Sequence, residues 1–373
     1  MPDRGAEQAV TDFHLQRLLG RDEIEWDLEE IAAYLRERHI LVTGAGGSIG
    51  SELSRQIGKF CPQGIVLLGR GEQSIWEIHR DCSNRFPDLD IRPVIADIRD
   101  RSRMESVFEE YRPAAVFHTA AHKHVDLIEP HPEEVVINNI VGTRTVTKLA
   151  DAYGTNRVVM ISTDKAVRPA CVYGAGKRIS ELQVEGLARK SSTVFVTVRF
   201  GNVLGSRGSV VPMLQTQIAE GGPVTVHPDA TRYFMTIPEA ARLVIQSGAM
   251  GENGEIFILD MGEPVRILDL ATEMIRLAGK EPGIDMELKP IGLRPGDKLH
   301  EELLSSGEGV RSTKHKKIFI AQPDRVESEG LDETIDRLAE MAKKPDRQGI
   351  VDLLQAVVPE YKPSEMWRKD ENH

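Results

Sequence analysis

From His39 onward, short apolar runs alternate with amphipathic stretches. Runs at 40–43, 65–68, 91–95, 115–118, 158–162, 194–199 and 256–260 have the length and β-branched content of strands. Stretches at 51–59, 103–110, 133–153 and 177–190 carry apolar residues at helical spacing. Strands alternating with helices predict βαβ units and a parallel sheet buried on both faces. The expected fold class is α/β, a Rossmann-type doubly wound parallel sheet with a smaller C-terminal substrate-binding domain.

The same pattern divides the chain. Residues 1–38 are charged, with Leu15, Leu18, Leu19, Leu28, Ile31, Ala32 and Leu35 at helical spacing, and predict an N-terminal helical segment. Residues 39–200 form the predicted dinucleotide-binding domain, to which 238–260 return. The Gly-rich composition after Phe200 marks 201–330 as the substrate-binding region, and 331–373 reads as a helical tail.

Composition narrows the class. The 373 residues carry a net charge of −11, which repels nucleic acid and anionic membrane surfaces. Three cysteines, Cys61, Cys82 and Cys171, lack metal-type spacing and point to a reducing cytoplasm. The polar N-terminus is unlike a secretory signal, and no apolar run reaches the roughly 18 residues of a membrane helix. A soluble, cytoplasmic chain with no nucleic-acid or membrane partner is expected, in which any anionic ligand meets a local cluster of Arg, Lys and backbone N–H groups.

The first strand runs into Val42-Thr43-Gly44-Ala45-Gly46-Gly47-Ser48-Ile49-Gly50 and then a helix. Gly44, Gly47 and Gly50 permit a tight turn that brings backbone N–H groups, with Ser48 and Ile49, to a pyrophosphate at the helix N-terminus. The second strand ends in Leu68-Gly69-Arg70-Gly71-Glu72, with no carboxylate for a ribose 2′-hydroxyl at its tip. Arg70 suits a 2′-phosphate instead, so NADP is the expected cofactor, with NAD kept open by Glu72. Small residues at Ala120 and Ala121 let the backbone pass close to the nicotinamide half.

Further on, Ser162-Thr163-Asp164-Lys165 ends the fifth strand, where ligands bind in open α/β sheets, and Tyr173 and Lys177 stand four apart at a helix start. An ammonium beside a phenol favours the phenolate, which can take a hydroxyl proton while carbon loses hydride. A dehydration next to the resulting ketone needs a base and an acid. Lys165 as base requires a depressed pKa, expected from burial and Lys177, and Asp164 as acid requires a raised one.

These segments, with Ala121-His122-Lys123-His124-Val125, Asn138-Asn139-Ile140-Val141-Gly142-Thr143, Arg199-Phe200-Gly201-Asn202 and Arg294-Pro295-Gly296-Asp297-Lys298, resemble one family. It is the UDP-N-acetylglucosamine 4,6-dehydratases of the CapD-like branch of extended short-chain dehydrogenases. The resemblance implies that a UDP-sugar is oxidised at C4, loses water across C5 and C6, and is reduced at C6. It assigns Thr163 to the C4 oxygen, Asp164 to C6, Lys165 to C5, and Tyr173 with Lys177 to the hydride step. It further implies that Asp97 and Ile98 flank the adenine and that Lys123 and His124 lie near substrate. Asn202, Arg207, Arg232 and Arg294 are the expected contacts to the substrate diphosphate, with Arg199 adding positive charge, and a homo-oligomer is expected by the same likeness. Many large members carry Met where Tyr173 stands, and an N-terminal membrane region; membrane tethering is not expected for this chain. A UDP-sugar 4-epimerase and a non-catalytic NADP-binding regulator on the same fold remain the alternatives. His118, His122, His124 and Asp126 have spacing that could hold a metal, but a redox dehydratase needs none and no metal is expected.

Overall fold

The computed structural model describes residues 26–304, 309–322, 330–344 and 346–368. Of the expected N-terminal helical segment, 1–25 lie outside the described residues, and α1 (Leu28–Leu35) is the part within them. The side chain of Asp27 caps α1 by accepting from the Glu30 N–H at 3.0 Å.

Nine strands form one sheet: β1 (His39–Thr43), β2 (Gly64–Gly69), β3 (Asp90–Ile95), β4 (Ala115–His118), β5 (Arg157–Thr163), β6 (Val194–Phe200), β7 (Ile256–Leu259), β8 (Gly309–Ser312) and β9 (Ile318–Gln322). Their order is β8-β9-β7-β6-β5-β4-β1-β2-β3. The first seven are parallel, and the order reverses between β1 and β4. A crevice opens at such a switch point, beyond the C-terminal ends of the strands. There the glycine turn and Thr163 meet.

Helices cover both faces. One face buries α1, α2 (Ser48–Gly58), α3 (Glu72–Arg85) and, from later in the chain, the helix Ile237–Met250. The other buries α4 (Arg101–Tyr111), α5 (Gly142–Ala152) and the C-terminal part of α6 (Val172–Ala188). Strand β1, with Ile40, Leu41 and Val42 at 0% exposure, shows why such strands read as unbroken apolar runs: neither side faces water. The helix Ile237–Met250 and β7 thus bring part of the second half back to the sheet.

Two expectations need correction. Residues 309–322, counted with the substrate-binding region, form β8 and β9 and extend the main sheet. β9 runs antiparallel to β7, pairing Phe257 with Ile320, and β8 pairs antiparallel with β9 across the short connection 313–317. The helix expected over 133–153 is interrupted by a π-helical turn at Val135–Val141 before α5 begins. Such turns shift the faces of a helix and sit often at functional sites.

A second, smaller core lies above the crevice. It joins α7 (Val210–Ala219), α8 (the Ile237–Met250 helix already described) being outside it, and α9 (Ile267–Leu277) through Leu214, Phe234, Leu270 and Met274. The tail forms α10 (Leu331–Lys343) and α11 (Arg347–Val357), which pack Ile335, Leu338 and Leu354 against the π turn and α6.

Candidate active site

The glycine turn is shaped by close approach. Gly44 has φ +67°, and a Cβ there would lie 2.8 Å from the Ala120 backbone. A Cβ on Gly50 would lie 2.3 Å from the Gly44 carbonyl oxygen, and one on Gly46 would lie 2.4 Å from Ser74 Oγ. Gly46 is thus as constrained as the glycines singled out from the sequence. The turn leads directly into α2, with Gly47 as its N-cap, so the cradle that side chains would fill suits a dinucleotide pyrophosphate. At the tip of β2, Arg70 is half-exposed, 3.4 Å from His122 Nε2 and 4.0 Å from Asp97. Burial opposes ionisation of Asp97, but Arg99, bonded to both its oxygens at 2.7–3.0 Å, holds it below the usual carboxylate range. Ile98, expected beside the adenine with Asp97, is 4% exposed and its side chain packs against Gly142.

The catalytic turn follows β5. Thr163 Oγ1 donates to Asp164 Oδ1 at 3.0 Å and accepts from the Lys165 N–H, closing a single 3-10 turn. Lys165 Nζ lies 3.1 Å from Asp164 Oδ1, 3.2 Å from Glu301 Oε1 and 3.4 Å from Asn202 Oδ1. Arg232 approaches Glu301 at 3.9 Å. Burial raises the Asp164 carboxyl, and Glu301 raises it further, against the pull of Lys165. The depressed Lys165 expected from the sequence is not found. Burial favours its neutral form, but Asp164 and Glu301 outweigh burial and raise it, so Lys165 rests as the cation.

Tyr173 and Lys177 lie on one face of the first turns of α6, both buried. Burial pushes the Tyr173 hydroxyl up to about 12, while Lys165 and, less, Thr163 pull it down. Here too the neighbouring cation differs from the expected Lys177. Burial lowers Lys177 to about 8.

A cleft of about 590 Å³ joins these parts. Gly47, Ser48, Ile49 and Gly50 line one side; Thr163, Lys165, Tyr173 and Lys177 form the floor. Lys123, His124, Asn202, Arg232 and Arg294 face them from the second core and the loop after β4. Asp164 lies just beneath, 1% exposed. Lys123 Nζ donates to Ser206 at 3.3 Å, and Arg294 reaches Asp126 at 3.4 Å. Arg207 is elsewhere. Its guanidinium donates to the Gly46 carbonyl at 3.1 Å and pairs with Glu77 at 3.3 Å, because the loop after β6 lies across the glycine turn. Arg199 is also spent structurally: it bonds Glu181 at 2.7–2.8 Å, in a buried cluster with Ser162 and Arg178.

Three contributors escaped the sequence pattern. Glu301 comes from a remote segment. Glu181 sits beneath β5, held at about 2 by Arg199 and Arg178 against the cost of burial. Asn139 clamps the His122 backbone, accepting from its N–H at 2.8 Å and donating to its carbonyl at 2.9 Å. The Asn138-Asn139 pair was its only signal. His118 is held by Thr43 at 2.8 Å and Thr143 at 3.0 Å, and burial lowers it to about 3, so both ring nitrogens serve the core. Among the described residues no group of three or more His, Cys, Asp or Glu could hold a metal, and no helix is long and apolar enough to cross a membrane.

A family model described as polysaccharide biosynthesis protein matches residues 40–323. The capsular polysaccharide biosynthesis protein CapD of Staphylococcus aureus is 52% identical over 83% of this chain and 52% of its own length. The chain therefore spans about half the length of that relative. A UDP-N-acetylglucosamine 4,6-dehydratase (inverting) of Campylobacter jejuni is 30% identical over 83% of this chain and 90% of its own. Among solved structures, Pen from Bacillus thuringiensis superposes with a TM-score of 0.71 at 32% identity, covering 82% of this chain and 99% of that one.

Proposed function

From its membership of the polysaccharide biosynthesis protein family, in the CapD-like branch of extended short-chain dehydrogenases, we propose that this chain is an NADP-dependent UDP-N-acetylhexosamine 4,6-dehydratase. UDP-N-acetylglucosamine is the proposed substrate and a UDP-4-keto-6-deoxy sugar the product. The observation that carries this reading is the pairing of Asp164 and Lys165 beside Tyr173 at the floor of one cleft. A 4-epimerase has no use for an acid and a base at C5 and C6.

A nicotinamide dinucleotide held by the glycine turn at 44–50 would supply hydride exchange with the sugar. Tyr173, at the cleft floor with Thr163, takes the proton of the C4 hydroxyl. Lys177 lies one helical turn along the same face, and the Lys165 ammonium supplies the charge that favours the phenolate. The C4 ketone acidifies the C5 hydrogen, and Lys165 removes that proton once neutral. Its own proton has a nearby recipient in Asp164, 3.1 Å away, whose carboxyl burial has raised. Passing the proton from Lys165 to Asp164 leaves the net charge of the pair unchanged and creates base and acid together. Protonated Asp164 then gives its proton to the C6 hydroxyl, which leaves as water.

Lys123, Arg232 and Arg294 line the opposite wall and suit the diphosphate, the guanidinium groups by forked hydrogen bonds. Arg70, at a strand tip that lacks a carboxylate, supports a 2′-phosphate and hence NADP over NAD. The test is incubation with UDP-N-acetylglucosamine, followed by mass spectrometry and NMR. A product one water lighter, with a C4 ketone and a C6 methyl, is expected. A product of unchanged mass inverted at C4 would replace this reading with the epimerase.

A further inference from the structure

The catalytic turn does not hold itself. The chain at 298–302, far away in sequence, fastens it at three points. Lys298 Nζ donates to the Val167 carbonyl at 2.8 Å, Glu301 meets Lys165 at 3.2 Å, and Glu302 accepts from Arg168 Nε at 2.7 Å. Arg168 has φ +40°, a left-handed conformation that a non-glycine residue keeps only when its surroundings impose it. The segment is itself tied to the cleft wall. The Thr231 N–H donates to the Leu299 carbonyl at 3.0 Å, and Arg232 donates to the same carbonyl at 3.2 Å.

Within this clamp Glu301 is singular. Its side chain is 1% exposed. One carboxylate oxygen meets Lys165 and the other, Oε2, is buried without a hydrogen-bond partner. A buried carboxylate half-satisfied in this way is costly unless a facing cation repays it.

We propose that Glu301 is a positioning residue for the reaction: its carboxylate anchors the Lys165 ammonium alongside Asp164 and sets when Lys165 can act as a base. This rests on the role given to Lys165 under the proposed function. With two carboxylates against it, Nζ is pinned at the cleft floor within reach of Asp164, the recipient of its proton. The other charged and titratable groups facing Lys165 are Tyr173 and Cys171 at the start of α6, Lys123 after β4, Arg232, and Asp297. Among the described residues, the carboxylates that touch Nζ are those of Asp164 and Glu301. Burial is offset by these two, so removing Glu301's charge releases the proton of Lys165 at lower pH.

The test is competitive acetylation of Lys165 with trace acetic anhydride across pH, read peptide by peptide by mass spectrometry on the purified full chain. Replacing Glu301 with Gln is expected to move the Lys165 midpoint down by about one pH unit or more, the size of one opposite charge at this distance. The Glu301→Asp variant keeps the charge but retracts it, and its midpoint is expected between the two. An unchanged midpoint in a Glu301→Gln protein that still melts cooperatively overturns the proposal. If that variant does not fold, Glu301→Asp decides: a lowered midpoint supports the role and an unchanged one refutes it. Labelling does not depend on turnover. Water loss persisting in Lys165→Ala would remove the proposed function while leaving the labelling result intact.

Discussion

The glycine turn and the catalytic turn are built on opposite plans. Residues 44–50 are consecutive, and the contacts that shape them are mostly backbone against backbone: Gly44 on Ala120, Gly50 on Gly44. Residues 163–173 depend on charge brought from afar, with Glu301 and Glu302 from the remote 298–302 segment and Glu181 with Arg199 beneath. Close packing leaves one acceptable shape, whereas a buried charge cluster can hold the same proton in more than one place. A binding cradle suits the first plan, and proton transfer requires the second.

The sharpest way to separate the two regions is Lys165→Ala. Loss of a general base lowers kcat by about a thousandfold, while the dissociation constant for NADP, measured by fluorescence titration, stays unchanged. If both fell together, the two turns would be one unit.

Glu181→Gln attacks the support of the catalytic turn. Leaving Arg199 and Arg178 buried without their carboxylate costs about 3–5 kcal/mol, measurable by urea unfolding. The sign with pH follows from the depressed carboxyl, which ionises at about 2 in the fold against 4.5 in its ordinary state. Its contribution is complete above 4.5 and disappears as pH falls toward 2. The wild type therefore loses stability over that acid range, and Glu181→Gln flattens the loss.

On the other side of the comparison, Gly50→Ala places a Cβ 2.3 Å from the Gly44 carbonyl. Overpacking of this kind costs about 1–3 kcal/mol and is expected to weaken NADP binding, with the acetylation midpoint of Lys165 unmoved. The smallest effect is reserved for Arg70→Ala. It should reduce NADP affinity by about tenfold, the scale of one charge-assisted contact, and leave NAD affinity unchanged. Equal losses for both cofactors would show that Arg70 does not read the 2′-phosphate.

Some errors of the sequence-based expectations are instructive. Arg207 and Arg199 look like Arg232 and Arg294 in the sequence, since an arginine carries no local mark of its partner. One is spent on Gly46 and Glu77, another on Glu181, and the remaining two line the cleft. Lys165 was expected to be depressed by burial and Lys177, but Asp164 beside it and Glu301 through space reverse that. Asn139, which entered only as part of a family-like segment, braces the loop that carries His122 and Lys123.

What the sequence determined by itself was everything encoded over a few residues. The alternation of strands and helices, the glycine turn after β1, and the shared face of Tyr173 and Lys177 follow from periodicity and backbone sterics, which act locally. Only the tertiary structure decided which carboxylates surround Lys165, which arginines are left for a ligand, and that 309–322 belong to the sheet. Those outcomes depend on distances between segments remote in the chain, and both electrostatic energy and strand pairing are set by proximity in space.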